Sequence, residues 1–390
     1  MSQFKEALFT TSDFAKIAKL DRDIIHQLEA DGLLEVTRKK VGNVEKRMVS
    51  LESAQRYFHS MRELYAKLGT PQLEVGAGAP VSSGTLVATA TVENLAVPGS
   101  EGAEGVGQST VAAATNPLSG SGLSEAAQYI LTNSVFVRQP KHKIQMFYNV
   151  KGGTGKSTMT AQYVMRAAML GYKILAIDLD GQGHLSLNLD VLDGHERPTV
   201  YDVLINDLPI RNAIVNVAPG LDLVPANLGL CNIEIPLNHK PRREYRLSEA
   251  IQSIAGDYDL IVADTNPAAS ILNSSMLVAA ELVNVVCATN PLSFHGMSLV
   301  ISTIEEMERE FKHELALKII PNMYDNREII SQEVLGELRS QFQDLCTQAV
   351  VNRSADINEA TKRRTSVLLV NPRGTASTDI NALTEELLFS

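Results

Sequence analysis

A run of nine residues, Val150–Thr158, holds the side chains of this chain best suited to bind phosphate. It reads V-K-G-G-T-G-K-S-T, in which three glycines stand among two lysines and three hydroxyl residues. Glycines allow a tight turn in which several backbone N–H groups point at one anion, and a lysine beside them adds positive charge. In such a loop Lys156 reaches the β- and γ-phosphates of a nucleotide, and the Ser157 hydroxyl holds Mg²⁺. The residues predicted to bind phosphate are Gly152, Gly153, Thr154, Gly155, Lys156, Ser157 and Thr158.

The flanking segments are those that such a loop requires. Ile144–Asn149 is apolar and predicts a buried strand, while Met159–Leu170 has the apolar spacing and helix formers of an α-helix. Strand, glycine turn and helix in this order are typical of a phosphate-binding loop, with the anion at the helix N-terminus. Val150 occupies the first glycine position of the pattern G-x-x-x-x-G-K-[ST]. The alternative is a glycine-rich turn that binds nothing, which the two lysines and the flanks disfavour.

Aspartates end two further predicted strands. Lys173–Asp178 is apolar and continues into Asp-Leu-Asp-Gly-Gln-Gly-His, and Asp257–Asp264 is a second apolar segment that ends in a carboxylate. Ligands of open α/β sheets bind at the carboxyl ends of the strands, so we expect these aspartates beside the glycine loop if the strands are neighbours. A carboxylate at the end of such a strand, here Asp264, holds Mg²⁺. The alternative for Asp180 is a turn aspartate that caps a helix.

These segments together resemble the ParA/MinD family of partitioning ATPases, in which a lysine leads the glycine loop as Lys151 does here. The resemblance implies that Lys151 reaches the nucleotide of a partner subunit and that Asp180 positions or activates the attacking water. The catalytic residues implied are therefore Lys151, Asp180 and Lys156. It also implies ATP and Mg²⁺ as cofactors, with Ser157, Asp178 and Asp264 serving the metal.

The sequence departs from the family pattern in both segments that follow the aspartates. The family motif D-x-D-P-Q-G-N reads D-L-D-G-Q-G-H here, and D-x-P-P reads D-T-N-P, so Gly181, His184 and Asn266 are the departures. Farther along, Leu317–Asp325 resembles the family segment that lies near the adenine. The residues implied there are Pro321, Asn322 and Met323.

The first 69 residues predict a small DNA-binding unit. Two short helices joined by a tight turn precede a basic hairpin turned by Gly42–Asn43, and Ser50 caps a third helix. This order resembles a MerR-like winged helix-turn-helix, in which basic wing residues contact phosphates. The alternative is a helical dimerisation module whose charges form a solvated face. The wing residues predicted to bind DNA are Arg38, Lys39, Lys40, Lys46 and Arg47.

A second basic segment lies near the C-terminus, where Arg353, Lys362, Arg363 and Arg364 are followed by Arg373. The family resemblance implies that the first four grip DNA without sequence preference, and charge neutralisation of a DNA backbone needs only suitably placed Arg and Lys. The alternative is a solvated helix face.

Length and composition predict the domain organisation and the compartment. The 390 residues divide into a DNA-binding domain over 1–69, a Gly/Ala/Ser/Thr/Val-rich linker over 70–122 and an ATPase domain over 123–390. Such a linker predicts that the two ends act semi-independently. A net charge of −10 argues against a globally basic nucleic-acid coat, and three scattered cysteines give no Fe–S or disulfide pattern. No signal-peptide core or membrane-spanning run stands out, so we expect a cytoplasmic, nucleoid-associated protein without membrane contact.

The fold class predicted is α/β, with a mostly parallel twisted sheet in a P-loop NTPase domain behind a mainly helical winged helix-turn-helix. The whole resembles a large, type Ia ParA plasmid or chromosome partition protein. That resemblance implies an ATP-dependent homodimer on nonspecific DNA, stimulated by a ParB-like centromere-binding protein and repressing its own operator, with higher-order assemblies left open. The main alternative is an ATP-sensing repressor with little or no hydrolysis, because departures fall in both segments after the aspartates. A membrane-positioning ATPase is disfavoured because the C-terminal tail is short and acidic.

Overall fold

A computed structural model describes residues 4–41, 44–68, 138–194, 196–268 and 270–390. The predicted linker over 70–122, the hairpin turn Gly42–Asn43 and both predicted domain boundaries lie outside the described residues. No helix within the described ranges is long and apolar enough to cross a bilayer.

The N-terminal unit combines three helices with a small antiparallel sheet. The predicted helices and basic hairpin are present, and the Ser50 hydroxyl accepts a hydrogen bond from the Ser53 N–H at 3.0 Å at the start of the third helix. A strand that the sequence analysis missed adds to the hairpin, so a mainly helical unit was an incomplete description. Three residues are too short to show a strand period. The elements are β1 (Leu8–Thr10), α1 (Thr11–Ile17), α2 (Arg22–Ala30), β2 (Thr37–Val41), β3 (Val44–Ser50) and α3 (Leu51–Leu68), with strand order β1-β3-β2.

The rest of the described chain forms a seven-stranded sheet with helices on both faces, which confirms the predicted mostly parallel α/β fold. The strands are β4 (Ile144–Tyr148), β5 (Ile174–Leu179), β6 (Val215–Ala218), β7 (Leu221–Val224), β8 (Leu260–Thr265), β9 (Leu282–Ala288) and β10 (Ala316–Asn322). Their order is β10-β9-β4-β8-β5-β7-β6, and within it the β6–β7 pair is antiparallel. Because helices cover both faces, strands such as β5, β8 and β9 are buried along their whole length and read as continuous apolar runs.

The helices of this part include the predicted one after the glycine loop, which starts at Lys156 rather than Met159. They are α4 (Lys156–Met169), α5 (His184–Asn188), α6 (Val200–Ile205), α7 (Glu234–Asn238), α8 (Arg246–Gln252), α9 (Ile271–Ala279), α10 (Pro291–His295), α11 (Met297–Phe311), α12 (Ile329–Gln341), α13 (Ala355–Arg363), α14 (Val367–Val370) and α15 (Thr375–Phe389).

The order of the strands answers a question that the sequence left open, namely whether β4 and β5 are neighbours. Strands β4 and β5 are not neighbours, because β8 lies between them and pairs with both. Asp178 and Asp264 thereby become direct register partners on adjacent parallel strands. The aspartates still gather beside the glycine loop, because all these strands end at the same edge of the sheet.

The N-terminal unit packs directly against the end of α4. Arg62 of α3 is only 4% exposed, and its Nη1 donates to the Leu170 carbonyl at 2.9 Å. Gln55 Nε2 donates to the Ala168 carbonyl at 3.0 Å, and Arg166 Nη2 of α4 donates to the Ile17 carbonyl at 2.7 Å. The last carbonyls of a helix have no partner within it, so these side chains satisfy groups that would otherwise need water.

Glycine makes this close approach possible. Gly171, with φ +75°, would place a Cβ atom on the Phe58 side chain of α3. Apolar side chains of both parts form one continuous core, in which Phe58 and Tyr57 join Met169 and Tyr172. The expectation that the two ends act semi-independently is therefore wrong for this conformation, since the two parts share a packed interface.

Candidate active site

The glycine loop runs from the end of β4 into α4 as predicted. Gly153 and Gly155 have φ values of +77° and +92°, a left-handed backbone that favours glycine. A Cβ atom at Gly155 would also overlap the amide of Asn322, whose Nδ2 donates to the Thr154 carbonyl at 2.8 Å. The loop is therefore fastened to the end of β10. Gly152 lies exposed in the loop, and Ser157 and Thr158 lie in the first turn of α4.

The two lysines of the loop point to different surroundings. Lys156 is 6% exposed, and its ammonium group lies 3.2 Å from the Lys151 carbonyl oxygen. Burial lowers the pKa of Lys156, while the nearby charges of Asp264 and Asp180 act in the opposite direction. The Lys151 ammonium lies 3.1 Å from Ser293 Oγ and 3.4 Å from Asn290 Oδ1, in the turn after β9. Lys156 thus faces the carboxylates, and Lys151 rests on neutral acceptors at the rim.

Asp178 and Asp264 are both fully buried at the ends of their strands. Burial raises the pKa of Asp264 to about 8, with the charge of Asp178 adding to the effect. Burial likewise raises the pKa of Asp178 to about 6, although hydrogen bonds from Ser186 oppose the shift. Ionising both groups is unfavourable without a further positive charge, so the pair is suited to a bound cation.

Unpartnered polar atoms at the site fit a phosphate and Mg²⁺. Among the described residues, Thr154 Oγ1 and Asp264 Oδ2 are buried without a hydrogen-bond partner, although buried polar atoms normally have one. The Ser157 hydroxyl also interacts with the Asp264 carboxyl group. The described ranges contain no cluster of three or more His, Cys, Asp or Glu able to hold a metal alone. Mg²⁺ in P-loop sites is held by a carboxylate, a hydroxyl, waters and phosphate oxygens, a set that these residues can complete.

The segment after β5 wraps tightly around both of its aspartates. Asp178 Oδ2 accepts from the Ser186 N–H at 2.8 Å and from its hydroxyl at 2.7 Å, and Oδ1 accepts from the Asp180 N–H at 3.1 Å. The oxygens of Asp178 are thus hydrogen-bonded within the segment that follows β5. Asp178 acts on the candidate metal site through its charge, which lies beside Asp264. Asp180 accepts from the Gln182 N–H at 3.0 Å, and its other oxygen lies 3.3 Å from His184 Nδ1.

The departure at Gly181 has a packing cause. A Cβ atom there would lie 2.6 Å from Cys231 Sγ and 2.8 Å from the Cys231 nitrogen. The proline of the family pattern carries that atom and would collide with this neighbour. The neighbouring residue comes from a segment far along the chain, so sequence alone offered no signal for it.

The three residues expected near the adenine lie at the end of β10. Pro321 and Asn322 pair with Cys287 and Ala288 of β9, and Met323 follows with φ +56°. The Asn322 side chain is occupied by the loop contact, a positioning role that the sequence analysis missed. A polar cleft of about 600 Å³ begins at the next residue, Tyr324, and three arginines line it, namely Arg327, Arg353 and Arg373.

The C-terminal basic residues separate into two groups. Arg353 lines the cleft at the start of α13, whereas the other three lie at the far end of that helix. Nine residues of helix separate the groups by about 13 Å. Lys362 and Arg363 are exposed, and Arg363 Nε donates to Glu359 at 2.6 Å. Arg364 is half-buried and donates to Asp190, just beyond α5, at 3.0 Å.

The wing residues also differ in availability. Lys39, Lys40 and Lys46 are exposed, and Arg38 lies 3.9 Å from Glu45 across the hairpin. Arg47 is bound to Glu29 and His26 of α2. The contacts of Arg47 therefore fasten the hairpin to α2.

Comparisons with known proteins agree with this geometry. A family model described as an AAA domain matches residues 142–317. The cell division protein PomZ of Myxococcus xanthus is 30% identical over 249 residues, which cover 63% of this chain and 78% of PomZ. The chromosome partitioning protein ParA of Caulobacter vibrioides is 32% identical over 244 residues, 62% of this chain and 91% of that protein.

A solved structure has the same fold and contains a bound nucleotide. The cobyrinic acid a,c-diamide synthase of Mycobacterium smegmatis, with an ATP analogue and magnesium, is 28% identical with a TM-score of 0.51. The alignment covers 57% of this chain and 91% of the synthase. The glycine loop with its leading lysine, the aspartates at the sheet edge and these relatives lead to one conclusion: this chain belongs to the ParA/MinD family of P-loop ATPases.

Proposed function

We propose that this protein is a DNA-partition ATPase that uses ATP and Mg²⁺ to switch between monomer and DNA-bound dimer. The observation that carries the proposal is the meeting of Lys156, Asp180 and Asp264 at one sheet edge, with Lys151 at the rim of the same loop. The name of the relative ParA, a chromosome partitioning protein, supports a role in segregating DNA.

In this proposal each residue has a separate task. Lys156 and the N–H groups of the loop bind the β- and γ-phosphates, and Asp180 orients the attacking water. Ser157 and Asp264 hold Mg²⁺, with the Asp178 charge beside them. When bound, Mg²⁺ neutralises charge on the phosphates. Lys151 leaves Ser293 and Asn290 to contact the nucleotide of a second subunit, where it stabilises charge as an arginine finger does.

In this proposal the bound nucleotide controls whether the protein binds DNA. The exposed cations at the end of α13, together with Arg353, Arg327 and Arg373 around the cleft, support binding to any DNA sequence. The hairpin and α2 support a winged helix-turn-helix that binds the protein's own operator. A ParB-like centromere-binding partner stimulates hydrolysis and thereby releases the dimer, in a cytoplasmic, nucleoid-associated cycle typical of a type Ia ParA.

Steady-state ATP turnover tests this function. We expect slow hydrolysis by the full chain alone and a rise of about tenfold or more with double-stranded DNA and a ParB-like centromere-binding protein. If turnover stays absent under both conditions while ATP binds, the partition ATPase is refuted. The second candidate, an ATP-sensing repressor, would then be supported. The departures at Gly181, His184 and Asn266 favour this second candidate.

A charge-removal pair tests the DNA surface. Lys362→Ala with Arg363→Ala is expected to weaken ATP-dependent binding to nonspecific DNA and to lower the salt slope by about 1 for each DNA phosphate that is no longer neutralised. Arg364 is left intact because its bond to Asp190 gives it a structural role. The matched control is Arg309→Ala with Lys312→Ala, which removes the same charge from two exposed positions, one near the end of α11 and one directly after it. Equal salt slopes for the two double variants would show that DNA binds to another surface of the protein.

A further inference from the structure

A half-exposed histidine lies against the carboxylate proposed to orient water. His184 Nδ1 is 3.3 Å from Asp180 Oδ2, while the other oxygen accepts from the Gln182 N–H at 3.0 Å. The side chain of Asp180 is 12% exposed and that of His184 is 57% exposed. The distance is at the long end for a hydrogen bond, as catalytic hydrogen bonds often are before a substrate binds.

The backbone holds this histidine in place. His184 is the first residue of α5, and Gly183 before it has a left-handed φ of +65°. Two residues later, Ser186 donates twice to the buried Asp178 at the end of β5. The start of α5 is thus anchored to the sheet edge, and the contact with Asp180 follows from that anchoring.

Histidine differs chemically from the asparagine that the family pattern carries here. Both side chains can donate one hydrogen bond to a carboxylate, but histidine carries its donor on a planar ring and asparagine on an amide group. The elements packed against α5 are α4 and β5. Within the described part of the chain, Asp180 is the charged side chain that His184 contacts.

We propose that His184 is a positioning residue that orients the Asp180 carboxylate for the attacking water, in place of the family's asparagine. The neutral imidazole donates from Nδ1 to Asp180 Oδ2 and leaves the carboxylate free to accept a hydrogen bond from water. The proposal rests on the ATPase function proposed above.

Single-turnover hydrolysis of radiolabelled ATP tests this role, using the full chain with Mg²⁺ and double-stranded DNA at one fixed pH. His184→Ala is expected to lower the rate constant about tenfold, with the half-saturating ATP concentration within about twofold of wild type. His184→Asn keeps a donor, so it should restore the rate constant to within about twofold of wild type. The matched control is His239→Asn at the exposed end of α7, expected to behave as wild type.

The outcomes distinguish the positioning role of His184 from the proposed ATPase function. No turnover by the wild type would overturn both. Wild-type turnover with an unchanged rate constant in His184→Ala would overturn the positioning role alone, and so would a rate constant in His184→Asn as low as that of His184→Ala. Melting temperatures and binding of a fluorescent ATP analogue are measured for each variant. A rate loss accompanied by an equal loss of ATP binding would also count against positioning.

Discussion

Replacing Lys151 by alanine is expected to abolish ATP-dependent dimerisation while leaving ATP binding by the monomer largely intact. In the present conformation the ammonium group contacts only two neutral acceptors among the described residues, Ser293 Oγ at 3.1 Å and Asn290 Oδ1 at 3.4 Å. Moving it onto a partner's phosphates exchanges these for charge-assisted bonds, which are about twice as strong as neutral ones. Removing such a charge-assisted bond from an interface costs about 2–5 kcal/mol, so the dimer dissociation constant should rise about 100-fold.

Sedimentation velocity with a non-hydrolysable ATP analogue measures this effect. The fold should tolerate the change, because Asn290 Oδ1 still accepts from the Ser293 N–H at 3.0 Å. ATP binding should persist because Lys156 remains, and a fluorescent analogue checks this separately. Lys312→Ala, at an exposed position directly after α11, is the matched control. An unchanged dimer fraction in Lys151→Ala would refute the cross-subunit role.

Asp180→Ala is expected to reduce stimulated ATP turnover about 100-fold or more, because positioned proton acceptors commonly contribute factors of about 10² to 10⁴. ATP and Mg²⁺ should still bind through Lys156, Ser157 and Asp264, so the variant should accumulate as the ATP-bound dimer on DNA. Phosphate release measures the turnover, and DNA retention in the presence of ATP measures the trapped state.

A second variant separates chemistry from structure at this position. Alanine removes the acceptor of the Gln182 N–H and so loosens the turn after β5. Asp180→Asn keeps an oxygen for that bond and removes the charge together with the oxygen that faces His184. Both variants should lose turnover if the carboxylate acts on water. Wild-type turnover in Asp180→Asn would assign Asp180 the turn-capping role that the sequence left open.

Much of the nucleotide site could be predicted from local sequence. The backbone is left-handed at Gly153 and Gly155, and this conformation favours glycine. The constraint is therefore visible in the sequence as the glycines themselves. The buried strands before Lys151, Asp180 and Asp264 were visible because strands covered on both faces are apolar along their length.

Other features depend on contacts between residues distant in sequence. The sequence left open whether β4 and β5 are neighbours, and the structure places β8 between them. The Asn322 bond to the loop, the collision that excludes proline at residue 181 and the Arg364 bond to Asp190 each join segments more than 40 residues apart. Such pairings carry no local periodicity, so only the folded chain could assign them.

The same distinction applies to the N-terminal unit and to its attachment. Capping residues and the basic hairpin predicted its helices and the two hairpin strands, because these signals act within a few residues. Its docking through Arg62, Gln55 and Arg166 onto the end of α4 was not predictable, because a flexible composition over 70–122 suggested independence. The sequence by itself predicted candidate residues for phosphate, metal and DNA, since those properties belong to side chains and to short turns. Only the tertiary structure decided which of them meet, because packing of distant segments sets the distances between them.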